Sequence, residues 1–437
     1  MPAFSSRKNE ADGRVLDLDT AVRDGILGEV RCGGVVDEKQ DLRKLISQVD
    51  FSDAPSVFIC PISLEPMHDP VTLCTGQTYD RPNIAKWLSL GHFTCPTTMQ
   101  ELWDDSLTPN ATLRHLILSW FSYKHSQAKK KAEDVRGITI DFIDTLRRVK
   151  GRARVNSLKE LRREVETHSA ARKAMAEEGG VAVVCSLLGR FTSHAVGSEA
   201  IAILANVALP AEAVADLVRP EKLSLIADIL REGSKETKIN CARLIEILME
   251  EKRFHSELAS SHAILFGLTR LVKDKRCSNK ALPAIRVLKT MSSYESSRGL
   301  MMSVGAIPSL VESVGWLEGE CLEGALCVVE GLSRAPEGRA ALREAGGVVP
   351  TMVRVLMRVS ETCTRYALSI LWCVCEGNKE WASVAVEAGV VAKLLLVMQS
   401  GCGELLKHRS AQLLKMCRMN YSDAAFISKC KLTSTIQ

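Results

Sequence analysis

Apolar residues recur along this chain in a pattern that sorts it into two unequal parts. From about residue 152, the segments Ala200-Ile-Ala-Ile-Leu204, Ala242-Arg-Leu-Ile-Glu246, Ala284-Ile-Arg-Val-Leu288, Ala325-Leu-Cys-Val-Val329, Ala367-Leu-Ser-Ile-Leu371 and Ala411-Gln-Leu-Leu-Lys415 begin 42, 42, 41, 42 and 44 residues apart. One further step of 42 back reaches Leu158-Lys-Glu-Leu-Arg162. These segments read as apolar helix starts, each alanine letting neighbouring helices approach closely, so enlarging one should overpack the core by about 1–3 kcal/mol.

A second marker keeps phase with the first. Glu177-Glu-Gly-Gly180, Ser303-Val-Gly305, Glu344-Ala-Gly-Gly347 and Glu387-Ala-Gly389 each precede an amphipathic run. Glycine suits a place where one helix stops and the next begins, because it accepts positive φ. Pro308 and Pro350 follow within a first turn, where a missing amide needs no partner. A period of this length belongs to two- or three-helix repeats of the HEAT or armadillo kind, which bury their apolar faces only by stacking. The expectation is an α-solenoid over 152–425 with a long surface for another protein. Asn206, Asn240 and Arg365 are polar residues near the marker helices that face either a partner or their own repeat.

Residues 53–125 follow a different pattern. An apolar entry, VFICPIS, leads through EPMHDP to VTLCTGQTYDR, then a helix at NIAKWLSLG, a second loop HFTCPTTMQE, and TPNATLRHLILSWF. Ile84, Trp87 and Leu88 share one helical face, and Leu113, Leu116, Ile117 and Trp120 another. Before this module, residues 1–52 hold two short amphipathic helix candidates, Val15–Val30 and Glu38–Val49. After it, 126–151 carries basic clusters and reads as a helical linker or a cap on the array, with nuclear import or an anionic surface as the functional alternative. A short tail, 426–437, closes the chain.

Composition narrows the class. The chain has 437 residues, 46% of them hydrophobic but only 5% aromatic, which favours closely packed helices. With 57 basic against 52 acidic residues the net charge is +5, too balanced for a nucleic-acid footprint. No apolar run is long enough for a membrane span and no secretory signal is evident. The expected location is intracellular, cytoplasmic and/or nuclear. The 15 cysteines lie mostly among apolar neighbours, which suits reduced core residues better than a disulfide framework.

The stretch CPISLEPMHDPVTLCTGQTYDR first suggests a metal. A structural zinc needs four ligands, commonly cysteines in close pairs. Here the partner positions hold Ser63, Gly76 and Thr98, so Cys60, Cys74, His92 and Cys95 supply isolated halves of pairs. No metal and no cofactor are expected. A metal-free module must then hold its loops by packing and side-chain hydrogen bonds. Asp69, Thr78, Asp80, Arg81 and Asn83 are placed for that, Asp80 also as a helix cap. No hydrolase triad, P-loop or dinucleotide fingerprint is apparent.

Taken in order, CPISLEPMHDPVTLCTGQTYDR, NIAKWLSLGHFTCPTT and LTPNATLRHLILSWF resemble a U-box, the metal-free relative of the RING domain. With the array behind it, the chain resembles the plant U-box–armadillo class of ubiquitin ligases. That resemblance implies a predominantly α fold: a small α+β U-box followed by an armadillo-like α-solenoid. It also implies an E3 that recruits a ubiquitin-charged E2 and promotes direct transfer of ubiquitin to a substrate lysine, with no catalytic residue on this chain. By motif position it assigns E2 contact to Ile62, Leu64, Trp87 and Pro96. The partners implied are an E2, ubiquitin and a protein substrate of unknown identity, and a homodimer is left open. The alternative is a non-catalytic armadillo scaffold in which Ile62 and Trp87 serve as core.

Overall fold

A computed structural model describes residues 42–419. The helix anticipated at Val15–Val30 and the tail from 426 lie outside the described residues. The chain divides into two units between Asp134 and Val135.

The first unit opens with helix α1, Leu42–Gln48, which places Leu42 and Leu45 in the unit's core. Three short strands follow: β1 (Pro70–Thr72), β2 (Thr78–Asp80) and β3 (Thr108–Pro109) form an antiparallel sheet in the order β2-β1-β3. Val71 pairs with Tyr79 and with Pro109, so the small sheet is centred on one apolar residue. The β1–β2 turn closes through Leu73 N–H to Gln77 O at 2.9 Å, with Gly76 at φ +79. Helix α2 (Arg81–Ser89) and helix α3 (Ala111–Arg148) complete the unit. Phe58, Met67, Val71, Tyr79, Ile84, Ile117 and Phe121 fill its core.

Helix α3 runs on for 38 residues, past the point where the sequence suggested a separate connecting segment. Residues 122–148 contain no proline, and seven of them are Lys or Arg, good helix formers, so nothing stops the helix. Its C-terminal part places Val135, Ile143 and Leu146 in the core of the second unit.

The second unit repeats a three-helix motif, as in Pro336–Glu344, Val348–Val355 and Glu361–Cys375. Six such triplets run from Ser169 to Met419 among the described residues, preceded by helix Gly151–Thr167. The longer third helices of successive repeats pack on one another. The marker at Ala284 lies in the first turn of its helix, Leu282–Ser292, but the other alanine markers fall six or seven residues inside a third helix. Helix His194–Leu204 begins six residues before Ala200, and Lys235–Leu248 seven before Ala242, because the first turns are polar and solvated. Ala200, Ala242, Ala284, Ala325 and Ala367 are fully buried, as close helix approach requires. In the last repeat the equivalent buried position is Ser410, one residue before Ala411.

The glycine marker is resolved in backbone terms. Gly179, Gly305, Gly347 and Gly389 all have left-handed φ, between 67 and 84, immediately before a second helix. Two repeats solve the same corner differently. Pro220 opens one second helix, and the Ser261 side chain accepts the Ile264 amide at the start of the other. Of the three polar residues singled out near the markers, Asn206 donates to the Ala202 carbonyl at 2.8 Å, Asn240 is buried, and Arg365 lies over the Tyr366 ring.

Candidate functional site: paired loops in the small unit

Two loops in the first unit have the same backbone. In the first, Cys60 N–H donates to Glu65 O at 2.8 Å, Leu64 N–H to Cys60 O at 2.9 Å, and Met67 N–H to Phe58 O at 2.8 Å. In the second, Cys95 N–H donates to Gln100 O at 2.9 Å, Met99 N–H to Cys95 O at 2.8 Å, and Leu102 N–H to Phe93 O at 3.0 Å. An isolated bridge braces each, Ile59 with Pro66 and Thr94 with Glu101. Proline follows the cysteine in both, at Pro61 and Pro96, and fixes φ where the chain leaves the neck. The residue that turns each tip is a non-glycine in left-handed conformation, Leu64 at φ 59 and Met99 at φ 58. Such backbone costs about 1–2 kcal/mol for a non-glycine residue, so the necks must hold it in place.

Each neck cysteine serves as a hydrogen-bonding hub. Cys60 Sγ accepts from the Asp80 amide at 3.4 Å and from Asn83 Nδ2 at 3.5 Å. Burial pushes this thiol up, but those donors and the Ser63 and Ile62 amides outweigh it and leave it below the ordinary thiol value. Cys95 Sγ lies 3.1 Å from the Tyr79 hydroxyl. Burial again pushes up, and bonds with Thr98, Tyr79 and Thr75 bring Cys95 down to about 7. The Tyr79 hydroxyl also donates to Thr97 Oγ1 at 2.8 Å, so one core tyrosine braces the second loop from within. Among the described residues, no three His, Cys, Asp or Glu side chains gather as a set of metal ligands.

The polar residues expected to hold the loops can be placed individually. Asp80 Oδ1 accepts the backbone amides of His68 at 2.9 Å and Asp69 at 2.7 Å, tying the exit of the first loop to β2. Asp80 sits at the helix N-cap position, but its side chain makes no cap bond to α2 because it is committed to those two amides. Asp69 Oδ2 accepts from Arg81 Nε at 2.7 Å, and Thr78 Oγ1 meets Thr72 Oγ1 at 2.9 Å. Asn110, which sequence reasoning passed over, donates its amide to Pro70 O and caps α3 by accepting from Leu113 N–H at 2.9 Å.

The tips remain apolar and open. Leu64 is 73% exposed and Met99 66%, and Ile62 is also exposed beside Pro61. Pro96 is half-buried. Trp87 is half-buried as well, its Nε1 donating to Thr94 O at 2.8 Å and its ring lying 4.3 Å from that of His92. Met99 was not among the expected contact residues. The matching order of Cys60-Pro-Ile-Ser-Leu-Glu and Cys95-Pro-Thr-Thr-Met-Gln is the signal that would have found it.

The family U-box domain matches residues 54–126, and the Plant U-box protein ARM repeat region matches 140–437. The chain belongs to the plant U-box–armadillo family. U-box domain-containing protein 30 of Arabidopsis thaliana is 58% identical, with both chains covered completely. U-box domain-containing protein 75 of Oryza sativa subsp. japonica is 49% identical, covering 97% of this chain and 98% of that one. For the array, a solved chain from work on a phosphorylation switch in the interaction between cadherin and beta-catenin shares the fold. Its TM-score is 0.53 at 14% identity, over 65% of this chain and 53% of that one. With this architecture the chain is an E3 ubiquitin ligase of the U-box type, which acts by recruiting an E2. Among the described residues no single helix is long and apolar enough to cross a membrane.

Proposed function

We propose that a ubiquitin-charged E2 docks on the U-box through Ile62, Leu64 and Pro96, with Trp87 steadying the second loop from α2. The array holds a protein substrate, and ubiquitin passes directly from the E2 to a substrate lysine. The observation that carries this reading is the pair of loops whose tips present Leu64 and Met99 to solvent while their necks are pinned by matched backbone bonds. Preorganised apolar tips suit weak, rapidly exchanged docking, because little ordering remains to be done on binding. The two neck thiols are both fully buried, which keeps a ubiquitin thioester from reaching either. Catalysis by this chain is then proximity, with the E2 supplying the reactive cysteine.

The test is reconstitution of the full chain with E1, E2 and ATP. Because Ile62 is already exposed, Ile62→Ala should leave the far-UV circular dichroism signal unchanged while weakening E2 association about tenfold, the effect of losing one apolar anchor. Unchanged transfer would remove Ile62 from the contact. Absence of chain formation across a broad E2 panel would leave the chain as a scaffold.

A further inference from the structure

Three pockets in the array open at the same place in the repeat, where a second helix hands over to a third. The first, about 590 Å³, is lined by Arg152, Arg154 and Arg190. The second, about 320 Å³, is lined by Arg231, Lys238, Arg270 and Lys273, and the third, about 400 Å³, by Arg354 and Arg358. Leu187, Leu271 and Val355 hold equivalent places in the three, each 84 residues after the last. Against these nine cations the linings contain two acids, Asp274 and Glu318, although basic and acidic residues nearly balance over the whole chain.

Much of this charge has no internal partner. Arg231 pairs with Asp228 and Glu232, Lys273 with Glu312, and Arg154 donates to a backbone carbonyl. Among the described residues, Arg190, Lys238, Arg270 and Arg358 make no ion pair. The ion-paired side of the third helices, and of helix Gly151–Thr167 before them, behaves oppositely. There Arg162 lies 3.2 Å from Glu199 and 3.0 Å from Glu236, and Arg286 lies 3.3 Å from Glu246 and 2.9 Å from Glu320. An anionic partner on that side would have to displace bonds already made, whereas the edge between second and third helices offers cations that still lack a carboxylate.

We propose that this basic edge is a docking track for an acidic, extended segment of the protein that the array holds. The proposal rests on reading the array as the partner-holding region. Packed helices lie about 8–10 Å apart, so pockets two repeats apart are separated by roughly 18 Å, or about six residues of extended chain. The segment therefore carries acidic side chains about every six residues. Phe191, 98% exposed at the rim of the first pocket, provides an apolar contact at one end of the track. The cations are grouped in three separate depressions at a fixed spacing in the repeat, an arrangement that a plane of lipid headgroups does not require.

The test uses the full chain and a fluorescent peptide of about 14 residues with acidic residues at this spacing. A control peptide of the same composition has its acids bunched at one end, and phosphatidylserine-doped vesicles provide the lipid arm. The spaced peptide should bind in a salt-sensitive manner. Arg190→Glu, Arg270→Glu and Arg354→Glu, all at exposed positions, should each weaken it about fivefold and together about 100-fold. E2-dependent chain formation by the triple variant should stay at the wild-type level, which separates this proposal from the ligase reading; loss of that activity in the wild type would strike the ligase reading alone. No binding of the spaced peptide, equal binding of the bunched one, or full binding by the triple variant would overturn the track. So would vesicle binding that the triple variant alone loses.

Discussion

The two parts of this chain hold their shape by different means, and their cysteines show the difference most directly. In the U-box, Cys60 and Cys95 accept or share hydrogen bonds at loop necks, and their thiols sit below the ordinary value. In the array, burial pushes Cys241 and Cys375 up to about 12 and Cys185 and Cys417 up to about 11. The same side chain is a polar hub in one region and apolar volume in the other. A unit of some 70 residues buries too little surface to fix long loops by packing alone, so it depends on directional bonds. Six stacked repeats share one continuous core and need few such bonds.

The largest effect that separates the two should come from Asp80→Ala. Removing the acceptor of two backbone amides at the exit of the first loop should cost the U-box about 2–3 kcal/mol. Hydrogen exchange should rise over residues 54–126 and E2-dependent chain formation should fall, while exchange over the array stays as it was. Asp80→Asn, which keeps one acceptor oxygen, should recover part of both. Equal loosening in the two regions would mean that they are not held independently.

Glycines provide the next contrast. A Cβ at Gly338 would collide with the backbone carbonyl oxygen of Leu332, which cannot swing aside, so Gly338→Ala should destabilise the array by about 2–3 kcal/mol. Gly76 in the U-box turn has open space around it and only its positive φ to lose, so Gly76→Ala should cost about 1 kcal/mol. Urea unfolding of the two variants, followed by exchange in each region, checks the order.

These expectations also mark what the sequence could reveal. The array was legible because its 42-residue period repeats the same physical demand: a small buried residue at Ala200, Ala242 and Ala284, and a left-handed corner at Gly305, Gly347 and Gly389. Helix boundaries were less legible, since the polar first turns carry no apolar signal, and in the last repeat Ser410 takes the small-residue position. In the U-box the loop order could be read, whereas the left-handed backbone at Leu64 and Met99 could not, because neither residue type favours it. Asp80 looked like a helix cap from its position, and only the fold brings the 68–69 amides to it. Two of the basic pockets were hidden for a related reason: each draws its lining from consecutive repeats, and no local run of charge announces it, whereas the first takes Arg152 and Arg154 from the basic run 147–154.

Exchanging the cysteines sharpens the contrast further. Cys241→Val should be tolerated within about 1.5 kcal/mol because it replaces apolar volume by similar volume. Cys241→Ser should cost about 1–3 kcal/mol by burying a hydroxyl in an apolar site. At Cys60 the order should reverse. Valine would leave the Asp80 amide without its acceptor, at a cost of about 1–3 kcal/mol, while serine retains one. Thermal unfolding of the four variants would show the crossing, and the same rank at both sites would refute the distinction between hub and volume.

The smallest effect is a pH dependence confined to the U-box. Tyr79 has one phenolic proton, and both Thr97 Oγ1 and Cys95 Sγ are within reach of it. Burial, reinforced by Cys95, holds Tyr79 up at about 12, so the phenol stays protonated across the useful range. Cys95, at about 7, lies below an ordinary thiol at about 8.5. A depressed value means that the folded state favours the thiolate. The stabilisation is therefore fully present above the ordinary thiol range and is lost as pH falls through about 7. U-box stability should rise from pH 6 to pH 9, by about 1 kcal/mol for one neutral bond exchanged for a charge-assisted one. Cys95→Ser should flatten that slope, and Cys241→Ser should leave it intact. A wild-type U-box whose exchange protection is level across this range would mean that Cys95 stays a neutral thiol donating to Tyr79, with the phenolic proton held on Thr97.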